Sequence, residues 1–217
     1  MFVKVKYLVI KDLYLSIKNK IGECIYMVQG YVDPIIQEIE VKSANNKRLL
    51  VYGTIDDDLA TKFSYFTDKI ISNDKIHKSK DRDVRIMINS YGGSVMAGNS
   101  IIHSINKLKK QGFRVVGEVE SMAYSMAYDV LVNCDYRIGS KTSTYLLHQT
   151  AYGISGELQE QMREAQFQKK LWEKSVDYYV KNTKLSRERI NEIYDRKEKY
   201  FFDEIEALEN GSINEII

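Results

Sequence analysis

A chain of 217 residues, 44% of them hydrophobic, can bury one real core, and fits a single domain with a small appendage. A formal net charge of +2 gives no electrostatic pull toward nucleic acid or a membrane surface. Two cysteines, Cys24 and Cys134, are too few for a disulfide framework or a zinc site.

At the start of the chain, lysines interrupt the apolar runs, so no signal-peptide core and no membrane span is expected, and the protein reads as soluble and cytoplasmic. Residues 2–10 and Leu13–Ile17 alternate loosely and predict strands. Beyond that, residues 1–44 form an N-terminal extension of unknown role, and the main domain is expected over 45–217.

Leu49–Gly53 reads as a buried strand. The aspartates at 56–58 have the look of a calcium loop, but negative charge before a helix is the ordinary N-terminal cap. The helix expected there, about 58–72, carries Leu59, Phe63, Phe66 and Ile70 on one face. A basic loop, Asn73–Arg82 with His77, leads to a strand at Val84–Ile88. Next comes a helix over Ser94–Lys109, on which His103 reads as a surface or packing residue. A strand at Phe113–Val119 and a short helix at Met126–Val132 flank Ser125, and Thr144–Leu147 is a further strand ending at His148. A long helix over Glu157–Lys181 carries Leu158, Met162, Phe167, Leu171, Trp172, Val176 and Tyr179. A shorter helix follows Ser186, Asp203 and Glu206 make a capping-box pattern, and Ile213–Ile217 closes the chain as a strand. Strands alternating with helices indicate an α/β core, without separating a doubly wound sheet from other arrangements.

The chemistry-bearing stretch is residues 117–150. A serine at a strand-to-helix turn sits near backbone N–H groups without helical partners, which can hold an oxyanion. An imidazole at the end of a neighbouring strand can take the proton that an isolated serine keeps at neutral pH. Serines at helix starts are also ordinary caps, and spacing alone leaves both readings open.

Three motifs add to this: Ile88-Asn89-Ser90-Tyr91-Gly92-Gly93-Ser94-Val95, then Tyr124-Ser125-Met126-Ala127-Tyr128, then Leu147-His148-Gln149-Thr150. In order and spacing they resemble the proteolytic subunit of the Clp protease (ClpP), which carries I-N-S-P-G-G-S/V, A-S-M-G-A and M-I-H-Q-P. The ending Asp203–Ile216 is similar to the family's as well, and the likeness covers roughly residues 45–217. The resemblance implies the ClpP/crotonase-like spiral of ββα units, with a protruding strand–helix handle at about 150–182. It implies serine endopeptidase chemistry with Ser125 as nucleophile, His148 as base and the N–H groups of Gly93 and Met126 as oxyanion hole, with no metal or cofactor. It further implies a homo-oligomer of stacked heptameric rings acting on polypeptides, fed by an AAA+ unfoldase. The sequence has no G-x-x-x-x-G-K-[ST], so ATP use falls to such a partner.

The chain departs from the family at Tyr91 (proline there), Ala127 (glycine) and Thr150 (proline). The acid that orients the histidine in the family is absent: counting back from Phe201 puts Lys199 in its place, and counting forward from Ile190 puts Lys197 there. Asp195, Glu198 and Asp129 are the acids in reach by sequence. Three other readings stand beside the first: a viral or mobile-element protease cutting assembly proteins without an unfoldase, a ring subunit that has lost catalysis, and an acyl-CoA enzyme of the crotonase type. The last has no use for a Ser125–His148 pair.

Overall fold

A computed structural model describes residues 34–77, 80–151, 153 and 155–217. The strands expected over 2–10 and 13–17 lie outside these residues. By its contacts the chain divides into two units, Met1–Lys42 and Ser43–Ile217. A helix that the sequence patterns do not predict, α1 (Pro34–Asn45), starts at the chain's one proline, whose missing N–H is no loss at a first helical position.

Five strands form one sheet in the order β1 (Arg48–Ile55), β2 (Asp83–Gly93), β3 (Arg114–Tyr124), β4 (Tyr136–Gly139), β7 (Glu215–Ile216), all parallel. Two more strands branch from it: β5 (Thr144–His148) pairs parallel with β3, and β6 (Lys199–Asp203) pairs antiparallel with β5. Parallel neighbours need crossovers. These are α2 (Asp57–His77) and α3 (Val95–Lys110), with the short α4 (Met126–Val132) between β3 and β4. After β5 come α5 (Leu158–Asn182), α6 (Arg187–Asp195) and α7 (Glu204–Glu209). The architecture is α/β with a mainly parallel sheet, as the resemblance implied.

The local chemistry explains most boundaries. The Leu59 N–H donates to Asp56 Oδ1 at 2.9 Å, so the acidic turn is a helix cap. Ser94 caps α3 through Ala97 N, Ser186 caps α6 through Arg189 N, and Asp203 caps α7 through Glu206 N. Three elements differ from the sequence reading. Helix α2 continues past Ser72 to His77, into the stretch expected to be a loop, where Asp74 pairs with Arg82 at 2.5 Å. Strand β4 escapes prediction because four residues are too few to show a period, and β6 lies in a stretch to which the sequence patterns assign no element. Between His148 and α5 the described residues are irregular.

Strand β3 continues to Tyr124, well beyond the expected Val119, because it changes neighbour midway. Val116–Val119 lie against β4, whereas Met122–Tyr124 lie against Thr144–Leu146 of β5. That exchange carries the Ser125 turn to the end of β5. The helix after it is anchored by Tyr128, fully buried, whose ring stacks on Tyr179 and meets Phe202 edge-on, with its hydroxyl 2.7 Å from Ser212 Oγ. Below it the Arg137 guanidinium donates to Val132 O, Asn182 O and Gly211 O at 2.8–3.3 Å. One buried cation thus satisfies carbonyls at or just past the C-terminal ends of α4, α5 and α7, where helices leave acceptors without partners.

Candidate active site

Ser125 has φ 55° and ψ −124°, a conformation that non-glycine residues rarely adopt. Its N–H donates to Leu146 O at 2.9 Å, and its carbonyl accepts from Tyr128 N and Asp129 N to close the first turn of α4. The hydroxyl makes no cap hydrogen bond. Ser94 and Ser186, at comparable helix starts, do cap. Capping therefore explains those two serines and not Ser125. A strained strand-to-helix turn that leaves a hydroxyl uncommitted is the way folds present a nucleophile.

The turn at the end of β2 packs directly against it. Gly92 has φ 90°, and a Cβ there would lie 2.6 Å from Tyr124 O, 2.9 Å from Ser125 Cβ and 3.0 Å from Met126 N. Gly93 serves differently: a side chain there would strike the backbone of Ile55 on β1. The sequence motif suggests Gly93 for the close backbone approach; toward Ser125 and the Met126 N–H that approach belongs to Gly92. The paired glycine of the motif was the available signal. Tyr91 in place of proline does not leave the turn loose, because the buried Ser90 hydroxyl accepts from Gly92 N at 3.0 Å and donates to Gly53 O at 2.5 Å.

Met126 links this turn to the core. Its side chain is buried over Gly98 of α3, where a Cβ would come within 2.2 Å of Met126 Cγ. Gly98→Ala gains helix propensity, yet it pushes Met126, and with it the N–H beside Gly92, out of place. The expected result is a loss of about 1–2 kcal/mol in urea unfolding. Reaction of Ser125 with a fluorophosphonate should slow about tenfold, as roughly 1.4 kcal/mol of barrier would produce.

His148 ends β5, two residues beyond Leu146, which is the register partner of Tyr124. Ser125 and His148 thus leave the same edge of two adjacent parallel strands. The imidazole is half-buried. Burial lowers its pKa below the usual value, the Lys199 ammonium lowers it further, and a backbone hydrogen bond at Gln149 acts the other way. An aromatic rim, exposed at Tyr91 and Phe201, follows the same edge, with Tyr91 edge-on to Tyr124 and Tyr124 edge-on to Phe201 at centroid distances of 6.4 and 5.6 Å.

The antiparallel register pairs His148 with Lys199, so of the two sequence counts the one ending at Lys199 describes the fold. Lys197 lies in the turn before β6 with φ 51°. Glu198 holds the Arg189 guanidinium with two bonds of 2.8 and 2.9 Å, and Asp195 is exposed at the end of α6. Asp129 accepts the Tyr179 hydroxyl from α5. Glu198 and Asp129 are thus engaged elsewhere and Asp195 is exposed; none of the three is among the groups that shift the imidazole pKa.

Among the described residues no group of three or more potential ligands is arranged to hold a metal ion, and no helix is long and apolar enough to cross a membrane. Curated relatives include the ATP-dependent Clp protease proteolytic subunit of Deinococcus radiodurans, 29% identical over 143 residues, 64% of this chain and 67% of that one. Subunit 3 of Rhizobium meliloti is 27% identical over 123 residues, 57% and 60% of the two chains. Subunit 2 of Gluconobacter oxydans is 24% identical over 188 residues, 84% and 78%. Residues 36–217 match the family model described as Clp protease, nine residues earlier than the resemblance read from the sequence motifs, so that part of α1 belongs to the match. Because that match takes in every strand of the sheet and both glycine and serine turns, the chain belongs to the Clp protease family.

Proposed function

We propose that this chain is a serine endopeptidase that hydrolyses peptide bonds of unfolded polypeptides through an acyl-enzyme on Ser125. The observation that carries the reading is the uncapped, strained Ser125 beside Gly92, at the strand edge from which His148 also emerges. Ser125 Oγ attacks the scissile carbonyl while His148 takes its proton, and the N–H groups of Gly93 and Met126 hold the oxyanion. When the tetrahedral species collapses, His148 returns the proton to the leaving amine. Water then enters by the same route and frees the acid. An extended substrate adds as a strand beside the segments after Gly93 and after His148, with main-chain hydrogen bonds that read little sequence.

The relatives' names mention ATP dependence, and the sequence carries no G-x-x-x-x-G-K-[ST], so the reading includes an AAA+ unfoldase as partner. Helix α5 exposes Leu158, Met162 and Phe167, an apolar surface suited to joining subunits into stacked heptameric rings. A second reading, a ring subunit with little catalysis, has one observation in its favour: a lysine where the base needs an acid. A fluorophosphonate probe separates the two. Labelling of the wild type that disappears in Ser125→Ala supports the peptidase. Assembled rings that stay unlabelled would establish the structural subunit.

A further inference from the structure

Lys199 is exposed, stands directly across the antiparallel ladder from the half-buried His148, and makes no ion pair among the described residues. Directly opposed residues of such a ladder share a face, with Cβ atoms about 4.5–5.5 Å apart. Three acids of the same region are engaged. Glu198 is held by Arg189, Asp203 caps α7, and Glu206 accepts the Tyr200 hydroxyl. Among the described residues, the charge that bears on the imidazole is the Lys199 ammonium.

We propose that Lys199 determines specificity: it holds a carboxylate of the peptide substrate beside His148, so that the substrate brings the negative charge that the described residues do not place there. The inference rests on the reading of Ser125 and His148 as the reacting pair. When His148 takes the serine proton it becomes a cation facing another cation, which disfavours the step. A carboxylate seated on Lys199 cancels that field and turns it attractive for the imidazolium. The carboxylate can be an acidic side chain or the C-terminal carboxylate of a peptide. Both present the same group to the ammonium.

The test uses the assembled protein and four fluorogenic peptides, with Glu or Gln at one position and a free or amidated C-terminus. The wild type is expected to favour the carboxylate-bearing peptides roughly 10- to 100-fold in kcat/KM, the range of a hydrogen bond to a charged group. Whether the Glu pair or the terminal pair carries the preference identifies the source. Lys199→Arg should keep the preference and Lys199→Met should lose it. Lys199→Asp should invert it and speed cleavage of the neutral peptide. In Ser125→Ala, binding of the favoured peptide should raise the His148 pKa followed by NMR, and the amide counterpart should not.

Equal cleavage of all four peptides by the wild type would overturn the proposal, as would a preference that survives in Lys199→Met. So would a carboxylate contributed by a neighbouring copy, seen as a His148 titration that changes on assembly and ignores the peptide. If the wild type neither cleaves nor labels, the peptidase reading fails by itself. The Ser125→Ala titration then still decides whether Lys199 binds carboxylates.

Discussion

Gly92→Ala is expected to lose about 2–5 kcal/mol of stability and to slow fluorophosphonate labelling of Ser125 by about 10²- to 10³-fold. Two effects add. At φ 90° a Cβ strains the backbone whatever surrounds it. The same Cβ would stand 2.6 Å from Tyr124 O and 3.0 Å from Met126 N, atoms of the backbone that cannot swing aside. To relieve the contact the two turns must part, and the Met126 N–H leaves the place where an oxyanion would need it. Gly53→Ala is the control. It has φ 68° with nothing within 4 Å of the added Cβ, so it should cost about 1–2 kcal/mol of strain and leave labelling unchanged. Urea unfolding and labelling rates measure both variants. Wild-type labelling in a folded Gly92→Ala protein would show that the approach of the two turns has no part in the chemistry.

The second expectation concerns pH. Burial raises the pKa of Asp129 from the ordinary aspartate value of 3.8 to about 7, and the hydrogen bond from Tyr179 pulls it part of the way back. A carboxyl whose folded pKa lies above its unfolded one binds more protons when folded between the two values, so its contribution to stability falls as pH rises from about 4 through 7. The whole interval would be worth roughly 4 kcal/mol. Because Asp129 keeps partial solvent contact, we expect on the order of 2 kcal/mol. Asp129→Asn keeps an acceptor for the Tyr179 hydroxyl and removes the charge. The variant should therefore gain about 2 kcal/mol over the parent at pH 8 and nothing at pH 4, read by urea unfolding at both. An equal effect at both pH values would mean that the carboxyl titrates normally. The pair joins α4, which begins at Ser125, to the long helix α5, so the same substitution shows how far the two helices are held together by a protonated acid.

Much of this molecule follows from local chemistry and was legible without coordinates. Apolar periodicity marked α2, α3 and α5 and the centres of β1, β2 and β3, because burial of one face repeats at fixed spacing. The caps at Asp56 and Asp203 were readable because the bonds they make span only three residues. The motifs around Gly92-Gly93, Ser125 and His148 identified the family and the candidate residues for the same reason: each is a short segment with its own geometry. What could not be read was everything set by a partner distant in sequence. The length of β3, the existence of β4 and β6, and the pairing of His148 with Lys199 all come from strands whose neighbours lie 20 to 80 residues away. The engagement of Asp129 by Tyr179 arises in the same way, from packing after the chain has folded. Residue types and spacing determined which hydroxyl and which imidazole to watch. Only the tertiary structure decided which glycine touches the serine turn and which charge faces the histidine, because steric contact and Coulomb interaction depend on distance in space, and distance in sequence does not fix that.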